Sequence, residues 1–220
     1  VYHLVVASRF FDQGLDVIMD SVTNSIIDPA ELAMEKEVIL EEIKRGQDSP
    51  QQKLGQGIFS AAYKTHPYRR PVIGFPETVS AASRDMIFGF YRRWYVPSNM
   101  VFVVAGDFDL KDGMRKVRSA FKSVDARRGP TQRRVKEPVQ NGFRGCVLTS
   151  DVHETFFDGA FHIPGASHAD VVALDLLSVA LGQGDQSRLG WRLRRQDQLV
   201  NYVGAYSYTP KDPGLMMLSG

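Results

Sequence analysis

Two glutamates, Glu35 and Glu42, stand seven residues apart in Glu35-Lys36-Glu37-Val38-Ile39-Leu40-Glu41-Glu42-Ile43. At about 100° per residue they fall on one helical face. That face is apolar: Leu32, Val38, Ile39 and Ile43 form its arc, while Lys36, Glu37, Glu41 and Lys44 point to the other side. A carboxylate inside a buried arc costs several kcal/mol unless it is paired, hydrogen-bonded to backbone amides or bound to a metal. Two readings stay open at this point. Either both glutamates lie at the solvated edge of a wide arc, or they are held in a site.

Composition narrows the setting. A chain of 220 residues with 43% hydrophobic and 24% charged content can bury a sizeable core and makes one large domain or two small ones. A net charge of +2 argues neither for nucleic acid nor for a membrane surface. The basic stretch from Arg127-Arg128 to Arg133-Arg134, interrupted by Gly129 and Pro130, reads as a solvated linker. Cys146 is the single cysteine, so no internal disulfide can form, which suits a reducing compartment or a disulfide-free periplasmic protein. No apolar run reaches spanning length, and Val1-Tyr2-His3-Leu4-Val5-Val6 lacks a basic leader and a cleavage site.

Helical periodicity covers 10–23, 29–45, 50–63, 83–95, 110–121 and 169–181. Asp28-Pro29 with Glu31, and Ser83-Arg84-Asp85, supply good starts. Strands are expected at 2–6, 100–106, 145–149, 155–163 and 215–220, and the stretch 124–141 is the best internal boundary. Because the first and last of these strands lie at the chain ends, a piece of a larger protein is expected. Phe88, Phe90, Tyr91, Trp94 and Tyr95 look like a helix face that packs on the sheet. Gly182-Gln183-Gly184 reads as a strand-to-helix turn and lacks the spacing of a phosphate loop.

The glutamate helix, followed by Asp48-Ser49-Pro50, resembles the downstream helix of the insulinase/pitrilysin family of zinc metallopeptidases, whose mitochondrial relatives include the processing peptidases. The likeness continues in order through His66-Pro67-Tyr68 with Pro71 and Gly74, Phe90-Tyr91, Tyr95-Val96-Pro97-Ser98-Asn99-Met100, Gly106-Asp107-Phe108, and Ser187-Arg188-Leu189 after Gly182 and Gly184. The resemblance implies an α+β fold, an insulinase-family half-domain with a mostly antiparallel sheet and helices packed on one face. It implies one incomplete peptidase domain, with 1–130 carrying the glutamate helix and 131–220 opening on strands. In this family zinc is held by two histidines of an inverted His-x-x-Glu-His motif and by a glutamate roughly 75 residues downstream. Glu42 is similar to that third ligand, and Glu35 to a second glutamate that supports the site.

No His-x-x-Glu-His occurs here, and His3, His66, His153, His162 and His168 offer no pair at that spacing. The family interval places the motif, with its general-base glutamate, about thirty residues before Val1. The chain as written is therefore expected to be inactive and to hold no tight zinc, since hydrolysis needs three protein ligands and an open water position. His66 reads as a turn residue beside Pro67, and His162 and His168 as strand or loop positions.

The half opposite the zinc in such peptidases carries an Arg and a Tyr, seven residues apart, that hold the substrate carbonyl. Anchoring on Gln198-Leu199 and Val203-Gly204-Ala205 sets Arg194 on the Arg and Asn201 on the Tyr, which breaks the pair. Arg195 and Tyr202 keep the spacing only in a frame slipped by one residue. The resemblance thus implies the zinc-bearing half of a metalloendopeptidase acting on peptides or small unfolded polypeptides. A second homologous half, on the same chain or a partner subunit, would complete it. The alternative is a catalytically inactive member serving as a structural or partner subunit. Neither nucleic acid nor membrane is an expected partner, and a soluble protein, cytoplasmic or periplasmic in a bacterium, is expected.

Overall fold

The computed structural model describes residues 1–124, 128–131 and 134–220. Its helices are α1 (Phe11–Thr23), α2 (Pro29–Asp48), α3 (Pro50–Ala62), α4 (Pro76–Ala81), α5 (Arg84–Trp94), α6 (Leu110–Ala120) and α7 (Val171–Gly182). The strands β1 (Asp158–Ile163), β2 (Gly204–Tyr208) and β3 (Gly214–Ser219) form one antiparallel sheet in the order β1-β3-β2. The class is α+β. The chain divides into two compact units, one of 1–39 with 77–133 and one of 40–76 with 134–220.

Helix ends follow from local side chains. The Asp28 carboxylate accepts from the N–H groups of Ala30 and Glu31 ahead of α2. Ser49, Ser83 and Asp109 accept from Gln52, Met86 and Asp112 at the starts of α3, α5 and α6. Each satisfies a backbone donor that the first helical turn leaves orphaned.

In the first unit α1 meets α6. Phe11 stacks on Phe108 at 5.5 Å between ring centroids, and Lys116 bonds Asp12 and Asp112. The aromatic face of α5 does not pack on a sheet. Tyr91 Oη donates to the Val22 carbonyl at the end of α1 and accepts from the Ser25 N–H, while Phe90 is 57% exposed. Arg84 reaches from α5 to the carbonyls of Ile26 and Ile27, fixing a turn in which Ile27 takes φ 48°. A β-branched residue in that region is strained, and two charge-assisted bonds offset the cost.

In the second unit β3 is central, so its residues read as an apolar run with no alternation. Leu215 and Met217 are buried against Ala62 and Tyr63, with Ile58, Phe59, Tyr68 and Ala160 around them. Ala205 and Ser207, which alternate with Tyr206 and Tyr208 along β2, meet α7: Ser207 Oγ donates to the Leu174 carbonyl. A Cβ at Gly182 would strike the backbone of Ala205, so α7 ends against β2 only because that residue is glycine.

Three expected strands do not form. Residues 2–6, 100–106 and 145–149 pair with no strand among the described residues, and Val5, Val101, Val103 and Val147 are 90%, 91%, 78% and 94% exposed. Alternating β-branched residues supply propensity, but a strand exists only with a partner. Gly182-Gln183-Gly184 follows a helix, not a strand, and Gly184 takes φ 82° after the α7 C-terminus. Arg127 and Arg133 of the basic stretch lie outside the described residues.

Candidate functional site

Helix α2 carries both singled-out glutamates, and seven residues of helix separate them by about 10.5 Å along the axis, about 20° short of two full turns. Neither is buried. Glu35 and Glu42 are exposed, as are Met34 and Val38 at 64% and 59%, and the helix buries only Ile43 and Gly46. Of the two readings left open by the sequence, the exposure of both carboxylates fits the solvated edge of a wide arc, in which Ile43 is buried, Leu32 and Ile39 are half-buried and Val38 is exposed. Neither glutamate has a hydrogen bond or ion pair among the described residues, whereas Lys36 on the other side of the helix donates to the carbonyls of Ser80 and Ala82.

Zinc hydrolysis sites use three protein donors and an open position. Among the described residues no three His, Cys, Asp or Glu side chains converge in a way that could hold a metal. Glu42 would supply one donor at most, so these residues do not make a zinc site by themselves.

The histidines have other work. His66 is 5% exposed and caps the turn Pro67–Arg69: its Nδ1 accepts from the Tyr68 N–H, which places the ring proton of the neutral form on Nε2, 3.4 Å from the Asp212 carboxylate. His162 lies on β1 with Nε2 3.0 Å from the Ala62 carbonyl, and His168 accepts from the Asp170 N–H before α7. His3 and His153 are exposed. Arg195 sits in a π-helical turn, Gly190–Gln196, where it and Arg194 both bond Asp185, at 3.1 and 3.2 Å. Tyr202 is 64% exposed in the loop before β2, and no contact joins it to Arg195 among the described residues. Asn201 donates to Glu154.

The carboxylate that is buried is one the sequence did not signal. The Glu137 side chain is 8% exposed and accepts from the N–H groups of Lys64, Thr65 and His66, at 2.6, 2.9 and 2.8 Å, and from the Thr65 hydroxyl. Burial alone would raise its pKa. The backbone donors of Lys64, His66 and Thr65 outweigh that and hold it down, from 4.5 to about 2. Arg144 lies 3.9 Å away and donates to the carbonyls of Ala61 and Ala62. Together these contacts tie 134–144 to the turn after α3. No side-chain motif could have announced this, because the partners are main-chain amides about seventy positions upstream.

The sequence model of the insulinase family (peptidase family M16) matches residues 1–75, and that of the peptidase M16 inactive domain matches residues 81–220. An uncharacterised zinc protease of Mycobacterium leprae is 32% identical over 204 residues, 92% of this chain and 46% of that protein. The crystal structure of a protease from Helicobacter pylori superposes with a TM-score of 0.91 at 27% identity, over 97% of this chain and 53% of that one. The peptidase M16 inactive domain of Pseudomonas fluorescens has the same fold, with a TM-score of 0.84 at 18% identity, over 97% of this chain and 52% of that one. The chain thus spans about half the length of the relatives it matches. No helix among the described residues is long and apolar enough to cross a membrane. With one model of the family matching well over half of its residues and a second matching most of the rest, this chain belongs to the insulinase family of peptidases.

Proposed function

We propose that this chain is part of the zinc-bearing half of a metalloendopeptidase in which Glu42 is one metal ligand and Glu35 supports it. The observation that carries the reading is the α2 face. Two carboxylates two turns apart, inside the stretch matched by the insulinase model, are presented outward and left without a cationic partner among the described residues. A carboxylate without a cationic partner keeps its lone pairs open to a metal. The histidine ligands and the general base would come from a His-x-x-Glu-His motif on polypeptide preceding Val1, and the chain as written would be inactive. On this reading residues 1–130 and 131–220 are two portions of one incomplete peptidase domain. Substrates would be peptides or small unfolded polypeptides, enclosed with a second homologous half on the same chain or a partner subunit. A net charge of +2 gives no reason to add nucleic acid or a membrane surface to its partners, and on this reading it works as a soluble protein.

The second reading, an inactive member with a structural or partner role, has its own observation: the model matching 81–220 is that of the inactive domain. Substitution in the whole protein separates the two. For a peptidase, Glu42→Gln removes tightly bound zinc and hydrolysis, because a neutral amide oxygen is a poor zinc ligand, and Glu35→Gln costs about ten- to hundred-fold. Hydrolysis unchanged in Glu42→Gln would refute the assignment. A whole protein that binds no zinc and cleaves no peptide supports the inactive reading.

A further inference from the structure

The arginines of the linker and of α5, unconnected in sequence, come together in the first unit. A cleft of about 360 Å³ is lined by Gly89, Arg92, Arg93, Arg128 and Pro130. All three arginines are exposed, and among the described residues no carboxylate lines the cleft and Arg93 and Arg128 have no ion-pair or hydrogen-bond partner. The walls are fixed. Gly129 N–H donates to Ser98 Oγ at 2.8 Å, pinning the backbone beside Arg128, and Arg92 lies 5.9 Å from the Phe88 ring centroid. The floor at Gly89 is open, with no atom near the place a Cβ would take.

Arg92 and Arg93 occupy the last turn of α5, where the helix dipole favours a cation, and that alone explains two arginines on a solvated helix end. It does not explain the third. Arg128 belongs to another segment, and bringing it to the same cleft adds a like charge whose repulsion a bound anion would turn into attraction. Guanidinium forks suit tetrahedral oxyanions, which accept paired N–H bonds from several directions.

We propose that this cleft binds a small multivalent oxyanion of phosphate type. Calorimetric titration of the full chain with inorganic pyrophosphate at fixed ionic strength tests it. One saturable site is expected. Arg93→Ser and Arg128→Ser should each weaken it about ten-fold, as loss of a charge-assisted contact does. Arg118→Ser, at the equivalent end of α6 and outside the cleft, should leave it unchanged. All four side chains involved are exposed, and circular dichroism verifies that each variant folds. Heat without saturation, retention of the site in Arg92→Ser/Arg93→Ser/Arg128→Ser, or equal weakening by Arg118→Ser would overturn the proposal.

Discussion

Replacing Glu137 by Gln tests the most definite electrostatic feature of the chain. The native carboxylate receives three backbone N–H groups and one hydroxyl while 92% removed from solvent, as its 8% exposure states. Its depression from 4.5 to about 2 corresponds to about 3 kcal/mol of folding free energy. A glutamine keeps one acceptor oxygen but turns an NH₂ group toward main-chain donors that have no other acceptor. A loss of about 2–3 kcal/mol at pH 7 is therefore expected. The sign with pH is fixed by the direction of the shift. A carboxylate whose folded pKa is lowered contributes fully above 4.5 and loses its contribution as pH falls through about 2. The wild-type chain should accordingly converge on the variant as pH descends through that window.

Urea unfolding followed by circular dichroism at pH 7, 4.5 and 2.5 measures the gap directly. Hydrogen exchange at the amides of Lys64, Thr65 and His66 reports whether those three donors are the ones released. A gap below about 0.5 kcal/mol at pH 7, within the range of ordinary surface substitutions, would refute the reasoning. So would a gap of the same size at pH 7 and pH 2.5.

Three further outcomes are expected. Leu215→Ala on the central strand, at 0% exposure, should cost about 3–4 kcal/mol in chemical denaturation, as full truncation in a packed core does. Tyr63→Phe should cost about 1 kcal/mol by loss of the 3.0 Å bond from its hydroxyl to the Pro213 carbonyl, seen as a lower unfolding midpoint with an unchanged m-value. Glu35→Gln and Glu42→Gln should each shift the stability of the chain itself by less than about 0.5 kcal/mol, since both are exposed and unpaired among the described residues; a melting curve in metal-free buffer checks this.

Helices were legible because their determinants are local. Ser49 before Pro50, Ser83 before α5 and the 3.6-residue apolar period each act within one turn, and the six expected helices appear with ends displaced by three residues at most. Strands were legible only in part, because pairing is a property of two segments: 155–163 and 215–220 do become β1 and β3, while 2–6, 100–106 and 145–149 find no partner among the described residues. The alternating Val101-Phe102-Val103 and the apolar Cys146-Val147-Leu148 have the chemistry of strands without a neighbour, whereas β2, with Gly204 and Ser207, looks unpromising alone and is held in place by β3. The site shows the same division. Glu35 and Glu42 were legible as one face of one helix, which needs only periodicity, but their exposure was not, because whether a face is covered depends on residues from elsewhere. Glu137 makes the converse case: a single acidic residue in a polar stretch becomes the most constrained carboxylate described, since the groups that select it are peptide N–H donors common to every sequence. Only folding brings a particular three of them to one point. A reading of α2 as a metal-binding face therefore rests on pattern and family membership, and the Glu42→Gln comparison in the whole protein carries the decision, because a free carboxylate on a helix is chemically competent for zinc whether or not the remaining ligands exist.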